Sequence, residues 1–180
     1  MQLPLGNLAL TSDLSEAGIN MIVEDAIKLV PFAKGINNHM GSALTQQPKA
    51  MSWLMRSVKR HNLFFVDSRT THKSIASKIA VQHNIRSANR DIFLDNEKST
   101  HAINREFGRL LAIAKRKNTA IGIAHPHPET LQYLEHTIPM LKSRGIKVVS
   151  ITEIIKIRRS EQRLAIKYTP NGLSKNFHSN

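Results

Sequence analysis

The heptapeptide Phe64-Phe65-Val66-Asp67-Ser68-Arg69-Thr70 is a short apolar run that ends in charged and hydroxyl side chains. Three other segments repeat the pattern of an apolar run followed by a polar tip, at residues 35–42, 92–96 and 121–128. A segment with helical periodicity follows each run. Short apolar runs that alternate with helices predict a parallel β-sheet. We therefore predict an α/β protein built from consecutive strand–helix units.

The polar tips of these runs are the candidate functional residues. In sheets of parallel strands, active sites form where the strands end at their carboxyl side. The predicted topology therefore brings one set of polar residues to a single rim: His39, Asp67, Arg69, Asp95, Asn96, His125 and His127. Imidazole, carboxylate and guanidinium groups together suit metal-assisted or acid–base chemistry.

The periodicity predicts the remaining elements. Helices are expected at residues 11–30, 45–62, 71–84, 100–117, 128–144 and 152–157. Strands are expected at residues 33–37, 63–66, 92–94, 120–124 and 147–151, with a strand end and turn over residues 1–10. From residue 158 the chain becomes polar and basic. We therefore predict one β/α domain over residues 1–157 and a flexible basic tail over residues 158–180.

Composition excludes several classes of protein. The chain has 180 residues and no cysteine, so it has neither a disulfide framework nor a thiolate site. No apolar run is long enough to span a bilayer, and the first residues lack the features of a signal peptide. The net charge of +13 permits anionic partners. However, the charges are spread over helix faces and the tail, and no nucleic-acid-binding motif is present, so specific nucleic-acid binding is not expected.

The first two tips each have a functional and a structural interpretation. His39 directly follows a predicted strand and could bind a divalent metal, but its segment is also rich in turn residues. Asp67 ends a strand that we expect to be buried, where a carboxylate is costly unless it is paired. Arg69 could pair with it or hold an anionic substrate. The alternative is a structural ion pair or a helix cap at this turn.

The residues of the other two tips also have more than one interpretation. Asp95 could be a base, a metal ligand or a residue that orients a histidine, and its alternative is an Asx turn. His125 and His127 alternate with prolines after an apolar strand. Because alternate residues of an extended chain face opposite sides, we expect one histidine to face the site while the other packs behind it.

The four segments together resemble the divergent polysaccharide deacetylase family, also called the YibQ family. The resemblance rests on Gly-Ile-Asn-Asn-His-Met-Gly-Ser-x-Leu-Thr (35–45), Phe-Phe-Val-Asp-Ser-Arg-Thr-Thr (64–71), Arg-Asp-Ile-Phe-Leu-Asp-Asn (90–96) and Gly-Ile-Ala-His-Pro-His-Pro-x-Thr-Leu (122–131). It extends from about residue 3 to residue 155, which is nearly all of the chain except its tail.

The resemblance implies a fold and a chemistry. This family shares a distorted β/α barrel with the NodB-type deacetylases of carbohydrate esterase family 4. Those enzymes bind a divalent metal, usually zinc, through one aspartate and two histidines. Metal-activated water attacks an acetyl group, with an aspartate as base and a late histidine as acid. The implied partner is an acetylated glycan or polysaccharide, and the implied location is the bacterial periplasm or cell envelope. Because the chain has no signal peptide, the cytoplasm is the expected location if Met1 is the true start.

The family's functional residues transfer to this chain one position at a time. His39 matches the histidine of the Asn-His-Met-Gly-Ser motif and is the metal-ligand candidate. The catalytic candidates are Asp67, Arg69, Asp95, His125 and His127. The substrate-binding candidates are Asn38, Ser42 and Asn96.

One part of the family's pattern is missing. Its members open with an apolar strand that ends in Asp-Asp, and this chain has no such strand. Gln2 also stands where the family has a histidine. We therefore expect an incomplete barrel that lacks about its first two β/α units. Such a barrel would expose apolar surface and sheet edges, bind metal weakly and tend to self-associate.

Two functional hypotheses follow. The first is metal-dependent hydrolysis of acetyl groups on a bacterial carbohydrate. The second is a catalytically impaired glycan-binding or envelope-associated protein that keeps the rim without the chemistry.

Overall fold

The computed structural model describes the backbone of residues 8–168 and the side chains of residues 8–164. The chain divides after Arg90 into two compact units, called unit 1 and unit 2 below. Gln2 and most of the strand end predicted at residues 1–10 lie outside the described residues. None of the helices in the described range has both the length and the apolar character that a membrane span requires.

Unit 1 is a three-stranded parallel sheet with helices between its strands. Its elements, in chain order, are α1 (Glu16–Leu29), β1 (Gly35–Asn37), a 3₁₀ helix (Leu44–Gln46), α2 (Pro48–Arg60), β2 (Phe64–Asp67), α3 (Ala76–Gln82) and β3 (Ser87–Asn89). The strand order is β1-β2-β3, so β2 is central. Asn37 is in register with Val66, and Asp67 is in register with Asn89. The polar tips after β1 and β2 are therefore neighbours.

Local sequence explains the helices of unit 1. The Ser15 hydroxyl accepts a hydrogen bond from the Gly18 N–H and caps α1. Pro48 lies in the first turn of α2, where its missing N–H is not needed. The buried side chains of α2 recur with helical spacing: Met51, Leu54, Met55 and Val58. They pack in one apolar core with Phe65 of β2, so this core fixes the sheet that positions the tips.

Unit 2 begins with a two-stranded parallel sheet. Its elements are β4 (Ile92–Phe93), α4 (Thr100–Lys117), β5 (Gly122–Ile123), α5 (Pro128–Thr137), a 3₁₀ helix (Ile138–Arg144) and α6 (Ile151–Tyr168). Ile92 is in register with Gly122, and Phe93 with Ile123. The buried core contains Ile92, Leu94, Phe107 and Leu141. Because β4 and β5 are parallel, the segments that follow them begin at the same edge of the sheet, where both strands have their carboxyl ends.

The structure confirms an α/β protein with parallel sheets and alternating helices. Helix α4 has the predicted bounds, because its apolar face and its Ser99 N-cap both appear in the sequence. The segment predicted as one helix over residues 128–144 changes to a 3₁₀ helix after Thr137. Pro139 explains the change, since proline removes a backbone donor within a helix.

Two strand predictions were wrong. The strand expected at residues 147–151 is absent from the described structure, in which α6 begins at Ile151. Val148 is exposed, and no strand among the described residues pairs with this apolar run. Conversely, the prediction missed β3, because Ser-Ala-Asn is too polar to signal a strand.

The end predicted for the last helix was also wrong. Helix α6 continues past residue 157 to Tyr168. Arg158 anchors it: its Nη2 lies 2.5 Å from Asp91 Oδ2 and its Nε donates to the Thr119 hydroxyl. Residues 158–168 are therefore helical rather than loosely attached. The remainder of the predicted tail, residues 169–180, lies outside the described residues.

Candidate active site

Unit 2 brings Asp95 and His125 together at the ends of β4 and β5. The side chain of Asp95 is fully buried, with 0% of its surface exposed. Its Oδ1 lies 3.0 Å from His125 Nδ1. Its Oδ2 accepts hydrogen bonds from the His125 backbone N–H at 2.6 Å and from the Thr130 hydroxyl at 3.1 Å. The segment after β5 is therefore organised around this carboxylate.

The contacts of Asp95 set its charge. Burial raises the pKa of Asp95, but hydrogen bonds from the His125 backbone, the His125 ring and Thr130 lower it by more. The net pKa lies below that of an ordinary aspartate, so the carboxylate is ionised at neutral pH. An ionised carboxylate favours the His125 tautomer with its proton on Nδ1. In this tautomer Nε2 of His125 carries the lone pair, which is the form that can accept a proton or bind a metal.

His127 completes a group of possible metal ligands. Its ring centroid lies 5.6 Å from that of His125. One ligand atom each from Asp95, His125 and His127 can be chosen so that all lie within 4.8 Å of one another. One carboxylate and two imidazoles form a donor set that suits zinc. The three residues could therefore hold a metal ion.

The two histidines differ from the expected arrangement. Sequence alternation predicted that they would face opposite sides of a strand, but their rings are neighbours and both are half-buried. The reason is that β5 ends at Ile123, whereas His127 is the N-cap residue of α5. The ring of Phe93 also stacks on His125, with 6.4 Å between the centroids.

In unit 1, both carboxylate oxygens of Asp67 accept hydrogen bonds from the loop that follows β2. Its Oδ1 accepts a hydrogen bond from the Arg69 N–H at 2.8 Å, and its Oδ2 accepts one from the Ser74 hydroxyl at 2.8 Å. The residue is almost completely buried. These bonds shape the turn between β2 and α3. They favour the structural interpretation of Asp67, and its catalytic assignment stays a prediction.

Arg69 and Arg90 meet at the same turn. Arg69 is exposed and has a left-handed backbone conformation, with φ of 47°. The Arg90 guanidinium donates to the backbone carbonyls of Ser68 and Arg69, at 2.6 and 3.0 Å. Sequence reasoning missed Arg90, although it precedes Asp91 in one of the four segments. Its position next to a strand was the only available signal.

Asn38 joins the tip after β1 to the tip after β2. Its Oδ1 accepts a hydrogen bond from the Ser68 N–H at 2.8 Å. That bond fixes the amide orientation, so the buried Nδ2 is a donor, and no acceptor for it is found among the described residues. Ser42 is exposed, and its backbone carbonyl accepts from the Gln46 side chain at 2.7 Å. The substrate-binding assignments of Asn38 and Ser42 stay predictions.

The predicted residues thus form one group in each unit. Asp95, His125 and His127 cluster in unit 2, with Asn96 exposed beside them. Asn38, Asp67 and Arg69 meet in unit 1, where His39 is exposed. That both groups share one rim stays a prediction. Sequence reasoning gave Thr130 no role, although this residue lies in the motif at residues 122–131, because nothing in the local sequence links it to Asp95.

The family model of divergent polysaccharide deacetylases matches residues 1–155. The chain belongs to this family. Membership confirms the resemblance read from the four segments. An α/β architecture with parallel sheets is the deacetylase-like fold of the family.

Two curated relatives are similar to this chain. An uncharacterized protein of Haemophilus influenzae Rd is 42% identical over 122 residues, which cover 68% of this chain and 44% of the relative. The uncharacterized protein YibQ of Escherichia coli K12 is 35% identical over 135 residues, which cover 75% of this chain and 42% of YibQ. The chain therefore matches less than half of the length of either relative.

A solved structure supports the fold. The crystal structure of an uncharacterized protein of Agrobacterium tumefaciens C58 superimposes with a TM-score of 0.66 at 26% identity. The match covers 67% of this chain and 49% of that protein. This chain and the matched part of that protein thus share a backbone fold.

Proposed function

We propose that this chain takes part in the metal-dependent hydrolysis of acetyl groups on a bacterial carbohydrate, and that its partner is an acetylated glycan. Family membership supports the carbohydrate. The Asp95–His125 pair with His127 beside it supports the hydrolysis, because it places an oriented imidazole next to a second metal-binding side chain.

His125 is the proposed general acid. A histidine whose Nδ1 proton is held by a carboxylate keeps Nε2 aimed away from that carboxylate, and the negative charge stabilises the imidazolium. Asp95 is therefore a positioning residue. Its buried oxygens all carry hydrogen bonds from this chain, so it orients His125 rather than reaching a substrate.

The proposed metal is divalent, with zinc the first candidate. The donors clustered in unit 2, one carboxylate and two imidazoles, suit zinc, and we propose His127 as a ligand from this cluster. Separately, the family motif implies His39 of unit 1 as a metal ligand. When bound, such a metal polarises the acetyl carbonyl and lowers the pKa of its bound water. We assign His125 to proton transfer rather than to metal binding, because its Nε2 cannot bind a proton and a metal ion at the same time.

The first experiment measures acetate release from N-acetylated and O-acetylated oligosaccharides. We expect activity with added zinc, loss of activity with EDTA, and recovery when zinc is restored. His125→Gln should lower kcat by about 10²–10⁴-fold, the usual contribution of a general acid. His72→Gln, an exposed histidine of unit 1, is the matched control. Equal activity in His125→Gln and His72→Gln would remove His125 from the mechanism.

Zinc titration separates the two histidines. Isothermal titration should show weaker zinc binding in His127→Gln than in the parent chain, with little change in His125→Gln. A separate titration of His39→Gln tests the ligand that the family motif implies. If His125→Gln weakens zinc binding as much as His127→Gln does, the proposed division between acid and ligand is wrong.

The second candidate is a glycan-binding protein without catalysis. The specific observation in its favour is that both predicted catalytic aspartates, Asp67 and Asp95, accept hydrogen bonds from this chain at both carboxylate oxygens. Neither offers a ready general base. Binding of an acetylated oligosaccharide that persists in EDTA and in His39→Ala, with no acetate release, would select this candidate.

We also propose, from the family, that the protein acts in the periplasm or cell envelope. Fractionation of cells that express the natural gene product checks this. Recovery of the protein in the periplasmic or envelope fraction is expected, and recovery only in the cytoplasm would contradict it.

A further inference from the structure

A groove lies in unit 2 between α4, α5 and the chain near residue 146. Its volume is about 340 Å³, which lies within the size range of small-molecule sites. Apolar side chains of α4 and of the segment after α5 form much of its lining: Phe107, Leu111, Ala112 and Ile146. None of the predicted catalytic, metal or substrate residues lines it. The groove is thus separate from the candidate active site.

Two features keep this groove open. Gly108 of α4 lines it, and a Cβ atom placed on Gly108 would meet no atom within 4 Å. The Tyr133 ring forms a wall, meeting Phe107 edge to face with 5.5 Å between the centroids. The Tyr133 hydroxyl donates to Asn104 Oδ1 at 2.9 Å, which fixes both side chains in place. The groove therefore has an ordered polar wall and an apolar lining.

The charged residues of the groove are both cations. Lys115 and Arg144 line it and are exposed. Among the described residues, neither has an acidic partner within 4 Å. By contrast, Arg105 and Arg109 on the same helix both pair with Glu106. The groove thus combines apolar surface with positive charge that is not neutralised locally.

We propose that this groove binds an anionic amphiphile, namely a single apolar chain that carries a carboxylate. The apolar chain would lie against Phe107, Leu111 and Ile146, since burial of apolar surface favours its binding. Lys115 and Arg144 would attract the head group by charge complementarity. A neutral acetylated glycan has neither a long apolar chain nor a negative charge. The inference therefore goes beyond the proposed function and does not depend on it.

The test uses calorimetric titration of the full chain with dodecanoate below its critical micelle concentration. Saturable binding with one site per chain is expected. Dodecyltrimethylammonium has the same tail and the opposite charge, and should bind at least about tenfold more weakly because of like-charge repulsion. Acetate has the head group without the tail and should not bind measurably.

Four variants locate the site. Gly108→Leu fills the groove and Lys115→Glu reverses one charge, so each should weaken dodecanoate binding by about tenfold or more, equivalent to about 1.4 kcal/mol. Gly108→Ala adds only a methyl group in open space. Arg116→Glu makes the same charge change on the next residue of α4, which does not line the groove. These two controls should bind within about twofold of the parent chain, a difference well below 1 kcal/mol.

Three outcomes would overturn the proposal. They are the absence of saturable dodecanoate binding, equal binding of the cationic amphiphile, and equal weakening by Lys115→Glu and Arg116→Glu. The last outcome would mean that the overall positive charge of the chain, rather than this groove, attracts the ligand. Thermal melts of all four variants confirm that the comparison is made between folded proteins.

Discussion

The buried carboxylate of Asp95 accepts three hydrogen bonds, two from His125 and one from Thr130. One side chain therefore holds the backbone after β5, the ring of the proposed acid and the first turn of α5. Because a carboxylate can only accept hydrogen bonds, its amide isostere cannot replace it at this position. The residue thus offers a direct test of the site's organisation.

Asp95→Asn should destabilise the fold by about 2–3 kcal/mol. The amide has only one accepting oxygen, so at least one of the groups that donate to Asp95 would face an NH₂ group and lose its hydrogen bond. Urea unfolding measures this. Asn96→Ala changes the exposed neighbouring residue and should stay within about 0.5 kcal/mol of the parent. Equal stability of Asp95→Asn and the parent chain would show that the three hydrogen bonds contribute little.

The lowered pKa of Asp95 predicts how stability depends on pH. The folded state holds the carboxyl pKa below its unfolded value, which is about 3.9. Its stabilising contribution is therefore fully present above the unfolded pKa and is lost as pH falls through the folded pKa. Urea unfolding from pH 7 to about pH 2.5 should show the stability gap between the parent and Asp95→Asn shrinking below about pH 4. A gap that widens in acid would reverse the assigned sign.

At the scale of elements, the sequence predicts those that carry their own signals. Helix α4 has an apolar face, a capping serine and the predicted bounds. The predictions for β3 and for the run at residues 147–151 were wrong for the same reason. Strand formation depends on a neighbouring strand, which the local sequence pattern does not reveal. Ser-Ala-Asn gains a strand by pairing with β2, whereas the apolar run has no partner strand among the described residues.

The same distinction applies to the candidate site. Asp95, His125 and His127 could be picked out because each ends an apolar run with a chemically active side chain. The sequence allowed Asp95 to be a residue that orients a histidine, but it could not show which histidine, since Asp95 and His125 are 30 positions apart. Asp67 illustrates the converse. Its position at the end of a strand suggested a catalytic role, but its two carboxylate oxygens accept hydrogen bonds from the Arg69 backbone N–H and the Ser74 hydroxyl.

Strand β1 depends on close packing against β2 at Gly35. A Cβ atom on Gly35 would lie only 2.2 Å from the ring of Phe64, its partner in the register. Gly35→Ala should therefore destabilise the fold by about 1–3 kcal/mol, the usual effect of overpacking. Gly108→Ala should instead stabilise it by about 0.5–1 kcal/mol, because alanine is favoured in a helix and has room there. Thermal unfolding of both variants checks the pair, and a similar shift in both would contradict the packing argument.

At the scale of the whole molecule, an apolar segment stands out on the surface of unit 1. It joins α1 to β1 and contains Leu29, Val30 and Phe32, which are 72%, 59% and 87% exposed. Large apolar side chains that are adjacent and exposed usually mark an interaction surface. In a preparation of the isolated chain, the partner that such a surface can meet is another copy of the same chain.

We therefore predict that the isolated chain self-associates through residues 29–32. Its net charge of +13 opposes association at low salt, so added salt should strengthen it by screening the repulsion between copies. Sedimentation velocity over a range of concentrations should show reversible oligomers, and Phe32→Ser should shift the population toward monomer. Val81→Ser removes a similarly exposed apolar side chain from α3, away from this segment, and should leave the association unchanged. A parent chain that sediments as a monomer at high concentration and high salt would rule the interface out, because both conditions favour association when apolar contacts drive it.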